Sequence, residues 1–300
     1  MPAHQSTNHL FLIRPTVFYS NPETQETNLY QTSEAPPDPA TLLAKAKAEL
    51  DAFADNLEEH GVRVTRMDGS PACPDHIFPG NWVSTHEDGT VVYYPMLAPN
   101  RRAEKTPEIC AFLQQTYKTV KDYSPFTNDN RFLEGTGSFS FDRVNKIAYL
   151  AVSARSNEAL AKKWAQDAGY ELVSFRTNTV RGAPVYHTDL ILFIGTKLAG
   201  LCTGAIVEED RAAVVRKLAA THEIIDISLD QLDNMCGNAL EVMGRDDTPY
   251  LILSSRGYEA LTPEQKKKIA AHYREILHSP IPTIEKYGGG SARCLILELF

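Results

Sequence analysis

The sequence of 300 residues has few cysteines, no long apolar run and no basic block. Its five cysteines, Cys73, Cys110, Cys202, Cys236 and Cys294, are odd in number and widely spaced, and no two form a CxxC pair. A zinc ribbon and a thioredoxin-type motif are excluded, no disulfide framework is suggested, and a reducing compartment is the simpler setting. No stretch approaches the ~18–20 apolar residues of a membrane span. The first residues, MPAHQSTNHLFLIRP, lack the basic and long apolar regions of a signal peptide. The chain therefore reads as soluble and cytoplasmic, with no membrane partner. Lys and Arg number 30 against 38 Asp and Glu, a net charge of −8, and Lys266-Lys267-Lys268 is the one basic run. Phosphate binding needs clustered cations, so nucleic acid is not the expected partner. There is no GxxxxGK[ST] loop and no GxSxG elbow. Gly135 and Gly137 do not complete a GxGxxG, because Ser140 stands at the third position. No metal or organic cofactor has a motif here.

Apolar residues make up 43% and charged residues 23%, an ordinary globular balance that can bury a core without staples. His9–Ile13 reads as a strand, followed by a polar, proline-rich loop over Asn21–Pro39 that is either a lid or a solvated connector. Asp38-Pro39 is an N-cap with proline at the first helical position, and Gly61 is a stop. Between them Leu42, Leu43, Ala46, Leu50, Phe53 and Leu57 recur at helical period. A strand, Val62–Met67, follows.

Four hairpins then recur. The first pairs Trp82–His86 with Val91–Pro95 around Asp88-Gly89. The second pairs Gly137–Asp142 with Lys146–Ser153, the third Leu190–Gly195 with Leu198–Leu201, the fourth Ala239–Met243 with Tyr250–Ser254. Helices are expected over Pro107–Tyr117, Glu158–Ala168 (capped by Asn157), Glu208–Ala220 and Thr262–Leu277, and a last strand over Cys294–Phe300. A unit of hairpin, helix and further strand thus recurs about five times, if the two chain ends together make the fifth. No linker divides the chain, so residues 1–300 are read as one α/β domain.

Five short segments carry polar groups at loop or strand ends: Asp75–Asn81 (DHIFPGN), Leu133–Phe139 (LEGTGSF), Tyr186–Leu190 (YHTDL), Gly288–Cys294 (GGGSARC) and Glu26–Gln31 (ETNLYQ). Cys294 follows three glycines whose backbone can approach a ligand closely, with Arg293 beside it. It is either an activated nucleophile or a small buried core residue. His187 and Asp189 would share one face of a strand, suited to acid–base work or to a structural hydrogen bond. Glu134 is a pocket carboxylate or part of a plain turn. Among the other histidines only His76 stands inside one of these segments.

The order of these segments is more specific than any one of them. Asn81 in FPGN, Glu134 in EGTG, His187-x-Asp189 and a glycine-rich loop ending in a near-terminal Cys294 resemble the pentein superfamily of guanidine-modifying enzymes, over about residues 9–300. The wording resembles its citrulline-utilisation hydrolase branch, CtlX-like. The resemblance implies a five-bladed α/β propeller, no cofactor and a small arginine- or citrulline-like substrate. It also implies roles. Cys294 attacks the guanidinium or ureido carbon, His187 is acid and then base, and Glu134 orients His187 or pairs with substrate nitrogens. Asp189 resembles a substrate carboxylate of deiminases. Arg101, or Arg102 in the other register, and Arg155 resemble arginines that hold the α-carboxylate. Deiminases carry Asp where Asn81 stands. Arginine dihydrolases, which take arginine through citrulline to ornithine, carry Asn there and a second Asn in the N-terminal loop, where Asn28 stands. Asn28 also reads as a plain turn residue. In the CtlX-like branch the position of Asp189 is often Asn, so Asp189 leans toward a cationic substrate. The expected reaction is C–N hydrolysis yielding ornithine and ammonia. Deimination, amidinotransfer and a non-catalytic binding role are the alternatives.

Overall fold

A computed structural model describes residues 4–34, 38–178 and 182–300. Residues 35–37 of the expected loop lie outside the described residues. Five three-stranded sheets are built in the same way. Strand β1 (His9–Arg14) leads through helix α1 (Pro39–Glu59) to β2 (Arg63–Asp68), which pairs parallel to it. The second unit is β3 (Val83–Thr85), β4 (Thr90–Tyr93), α2 (Pro107–Thr116) and β5 (Thr119–Asp122). The third begins with a single helical turn, α3 (Gly135–Ser138), then β6 (Phe139–Asp142), β7 (Ile147–Ala151), α4 (Glu158–Ala168) and β8 (Glu171–Phe175). The fourth is β9 (Leu192–Ile194), β10 (Leu198–Leu201), α5 (Glu208–Ala219) and β11 (Glu223–Asp226). The fifth opens on α6 (Leu229–Asp233) and holds β12 (Leu240–Met243), β13 (Pro249–Ser254), α7 (Ser255–Ala260), α8 (Pro263–Ala270) and β14 (Ile276–Ser279). After α9 (Pro282–Gly288), β15 (Leu297–Glu298) returns and pairs antiparallel to β1, so the two chain ends complete one unit.

Local chemistry explains the elements. Asp38 accepts from the Thr41 amide and caps α1, whose buried stripe is Leu42, Ala46, Leu50, Phe53, Ala54 and Leu57. Each first strand pairs antiparallel with the second, and each third strand joins the second in parallel, a pairing that needs a crossover. The strands β3, β6 and β9 are short and buried on both faces, although only β9 (Leu-Phe-Ile) reads as an apolar run.

Two expectations need correction. Thr262–Leu277 is not one helix: α8 ends at Ala270, and Ile276–Ser279 is a strand parallel to β13. Ile269, Tyr273 and Leu277 are all buried, and their spacing of four mimics a helical face. The last strand is likewise shorter than Cys294–Phe300, because Arg293–Leu295 form a 3-10 turn and only Leu297–Glu298 pair.

Candidate active site

Each unit places a turn immediately before its first strand, and these turns converge. Pro79–Asn81 precedes β3, α3 precedes β6, Thr188–Leu190 precedes β9, Gly237-Asn238 precedes β12, and Arg293–Leu295 precedes β15. Between them lies a narrow cavity of about 260 Å³, counting its mouth. Its lining includes Asn28, Asp75, Asn81, Arg101, Arg155, His187 and Cys294.

Cys294 is held by the turn itself, its amide donating to the Ser291 carbonyl at 3.0 Å. Gly289 ends α9 at φ +66°, and a side chain on Gly290 would sit 3.0 Å from the Phe78 ring and 3.2 Å from Cys294 Cβ. The glycines thus let the chain pass close under the thiol. Cys294 Sγ lies 3.2 Å from Asn238 Nδ2 and 3.5 Å from Asp189 Oδ2. Burial, with the Asp189 carboxylate beside it, pushes the thiol well above its usual range.

His187 Nε2 meets Glu134 Oε2 at 2.8 Å, both side chains buried. This pair leaves Nδ1 as the free ring nitrogen. His187 is not on a strand: it is the extended residue before the 3-10 turn Thr188–Leu190, so it and Asp189 do not share a strand face. Glu134 Oε1 accepts the Leu97 amide at 3.1 Å. Although burial opposes ionisation, Arg155, the His187 hydrogen bond and Arg101 hold Glu134 down to about 2. Burial lowers His187, and Glu134 offsets this in part. Gly137 has no room for a side chain, since a Cβ would lie 2.6 Å from Asn81 Nδ2 and 2.7 Å from His187 Nδ1.

The register of the arginines is resolved: Arg101 lines the cavity, whereas Arg102 donates outside it to the Met96 and Leu97 carbonyls. Arg101 donates to Glu104 from Nε (2.7 Å) and Nη2 (3.0 Å), and to Asn81 Oδ1 from Nη1 (2.9 Å). Arginine has no acceptor, so Asn81 must turn its oxygen to Arg101 and its NH2 away. Arg155 donates to Thr27 Oγ1 at 2.7 Å and to the Thr24 carbonyl at 3.2 Å, and stands 4.7 Å over the Tyr186 ring. Asn28 donates to the carbonyls of Gly289 (3.3 Å) and Gly288 (3.4 Å), and its Oδ1 accepts the Tyr30 amide. It is therefore both a turn residue and a tie to the glycine loop. The described part of the long loop is no solvated connector, because Asn21, Thr24, Asn28 and Gln31 are buried against the site.

Sequence reasoning passed over Asp75 and Asn238. Asp75 Oδ2 accepts from Asn21 at 2.8 Å, its Oδ1 has no partner among the described residues, and burial raises its pKa. It sat inside a segment already singled out. Asn238 could have been found from the fivefold count: four units supply site residues before their first strand, and Gly237-Asn238 holds that place in the remaining one. His76 lies apart, its Nδ1 accepting the Ser70 amide at 2.7 Å.

A family model described as N,N dimethylarginine dimethylhydrolase, eukaryotic, matches residues 14–300. The chain belongs to this family. Among solved structures it is similar to ArgZ, an arginine dihydrolase from the ornithine-ammonia cycle in cyanobacteria, with TM-score 0.76 and 20% identity, covering 96% of this chain and 40% of that one. The chain thus spans about two fifths of that protein. The N-terminal domain of ArgZ, covalently bound to a reaction intermediate, gives TM-score 0.76 at 19% identity with 97% of both chains covered. A dimethylarginine dimethylaminohydrolase in adduct with S-methyl-L-thiocitrulline gives 0.65 at 18% identity, covering 97% of this chain and 99% of that one. Comparison with curated proteins returns no match. These neighbours share the fold, and the chain is a five-bladed α/β protein of the pentein superfamily.

Proposed function

We propose that the whole chain is one catalytic domain that hydrolyses C–N bonds of an arginine- or citrulline-like amino acid through a covalent Cys294 intermediate, yielding ornithine and ammonia. One observation carries the reading: a buried cysteine, His187 and Asp75 line a single cavity, with the Glu134 carboxylate hydrogen-bonded to His187 and the Asp189 carboxylate 3.5 Å from the Cys294 sulfur. The Cys294 thiolate attacks the planar carbon of the substrate and a C–S bond forms. His187, protonated at Nδ1, gives its proton to the departing nitrogen, and Glu134 stabilises the imidazolium. Water loses a proton to His187 and attacks the adduct, and the C–S bond breaks. From arginine the first round releases ammonia and citrulline; from citrulline, a second releases ammonia, carbon dioxide and ornithine.

Asn81 supports the second round. Arg101 fixes it as a donor, and an NH2 group suits a neutral ureido oxygen better than a guanidinium. Asp189 keeps a carboxylate for the cationic substrate. Arg155 takes the α-carboxylate through the edge that now donates to a hydroxyl and a carbonyl, which a carboxylate outbids, while its Nη1 stays 3.5 Å from Glu134 Oε2. Arg101 is engaged by Glu104, and serves the carboxylate only by way of Asn81 and the cavity wall. The unpartnered Asp75 oxygen fits the α-ammonium, and Asn28 steadies the glycine loop over it. The finer placement, in the citrulline-utilisation branch, belongs to this proposal. So does a cytoplasmic setting, which suits five free cysteines; among the described residues no helix is long and apolar enough to cross a membrane.

Dimethylarginine, the substrate class in the family's description, is the second reading, and it predicts citrulline and dimethylamine. The test is an end-point assay of purified protein with arginine, citrulline and N,N-dimethylarginine, measuring ornithine, ammonia, citrulline, urea and dimethylamine. Ornithine plus ammonia is expected from arginine or citrulline. Citrulline accumulating from arginine would mean deimination, and turnover only with an added amine acceptor would mean amidinotransfer.

A further inference from the structure

Asn238 is fully buried. The turn that carries it is pressed against the His187–Asp189 turn: a Cβ on Gly237 would lie 2.1 Å from the Leu190 carbonyl. Asn238 Oδ1 accepts the backbone N–H of Arg293 at 3.1 Å and of Cys294 at 3.4 Å. Its Nδ2 donates to the Asp189 carbonyl at 3.2 Å and to Cys294 Sγ at 3.2 Å. Two backbone N–H groups can be met only by an oxygen, so the amide has one orientation and Nδ2 faces the sulfur. On the other side Asp189 Oδ2, 3.5 Å from Sγ, is an acceptor that favours the S–H form. Asn238 Oδ1 also lies 3.5 Å from Sγ, so the sulfur has one fixed donor at 3.2 Å and two more distant acceptors.

We infer that Asn238 is the thiolate donor of the site: its NH2 stabilises the Cys294 sulfur anion, while its oxygen holds the Arg293–Cys294 backbone in place. The inference deepens the reading above and rests on Cys294 as nucleophile. It also gives a function to the fifth unit, whose turn reaches the site through the Cys294 sulfur and backbone. In the resting site the Asp189 carboxylate, beside the buried sulfur, favours the S–H form. When a substrate cation takes that carboxylate, the S–H bond ionises, the proton passes to a base (His187 in this reading), and the electron pair left on sulfur faces the Asn238 donor.

The test needs no substrate. Alkylation of Cys294 by iodoacetamide is followed from neutral to alkaline pH, by mass spectrometry of the peptide that carries it, in the native protein and in Asn238→Asp. The carboxylate is isosteric and can still accept the two backbone N–H groups, but offers no donor to sulfur. The apparent titration of Cys294 is expected to move up by about one pH unit or more, with alkylation at neutral pH falling about tenfold. The other four cysteines are internal controls, and circular dichroism checks the fold. Asn238→Ser, smaller and still a hydroxyl donor, is the second variant if the first does not fold; it should shift the titration less, with turnover reduced. A folded variant whose Cys294 titration superposes on the native curve overturns the inference, even if turnover is lost, because Asn238 is then only structural. A shifted titration in a protein that turns over no guanidino or ureido compound keeps the thiolate donor and removes the hydrolase reading.

Discussion

At the residue scale the site is governed by burial acting on titratable groups. Cys294 is pushed up and His187 is pulled down, so at neutral pH the resting pair is a thiol and a neutral imidazole. A bound guanidinium favours the thiolate by Coulomb attraction; a neutral ureido group does not. The sign of the pH dependence follows. For both substrates kcat/KM climbs as pH rises from neutral, and the climb for arginine begins at lower pH than the climb for citrulline. Parallel pH profiles for the two substrates measure this, and coincident profiles would contradict it. The residues with a chemical type and a motif, Cys294, His187, Glu134 and Asn81, were legible in the sequence. Asn238 had no local pattern to mark it, because its partners Asp189, Arg293 and Cys294 are distant in the chain, and only its place in the fivefold count pointed to it. The commitment of Arg101 to Glu104 was equally hidden, since an i,i+3 pair on a 3-10 turn looks like any other surface charge pair.

At the scale of elements, helix α3 is one turn of four residues, but it packs against both the Pro79–Asn81 and Thr188–Leu190 turns. Its glycines are there for close approach: a Cβ on Gly135, at φ +46°, would lie 2.3 Å from the Gly80 carbonyl. Gly137→Ala forces a methyl between Asn81 and His187. Displacing a reacting group by a fraction of an ångström to 1 Å costs on the order of 100-fold in rate. Steady-state kinetics on the folded variant should show a fall of about that size in kcat/KM, and near-native kinetics would sink the packing argument. The elements legible in the sequence were those with caps and turn chemistry. Asp38 and Asn157 cap α1 and α4, and Gly89 closes the β3–β4 hairpin. The misread ones were decided by tertiary pairing. Residues 276–279 join β13 in parallel, and the Cys294 turn is bent by its packing on Pro79–Asn81. Neither constraint leaves a local sequence signal.

At the scale of the molecule, closure sets the site. Phe11 and Leu10 of β1 lie opposite Leu297 and Glu298 of β15, so the first and last strands hold the Cys294 turn beside the others. The N-terminal residues reinforce this: Gln5 Nε2 donates to the Phe141 and Ile194 carbonyls, and Ser6 Oγ donates to Glu241. The fivefold recurrence of hairpin and helix made this arrangement legible; which turns would meet was not, because it depends on ring closure. Leu297 is 2% exposed, and Leu297→Ala should cost about 2–5 kcal/mol in chemical denaturation, together with loss of turnover. Unchanged stability would separate closure from the core. The measurement that tests the central claim most directly is capture of the intermediate. Protein is mixed with arginine or citrulline, quenched in acid during turnover, and digested for mass spectrometry. A substrate-derived increment confined to the peptide that carries Cys294, and absent in Cys294→Ala, is the predicted result. Turnover by Cys294→Ala, or an adduct on another residue, would contradict the account.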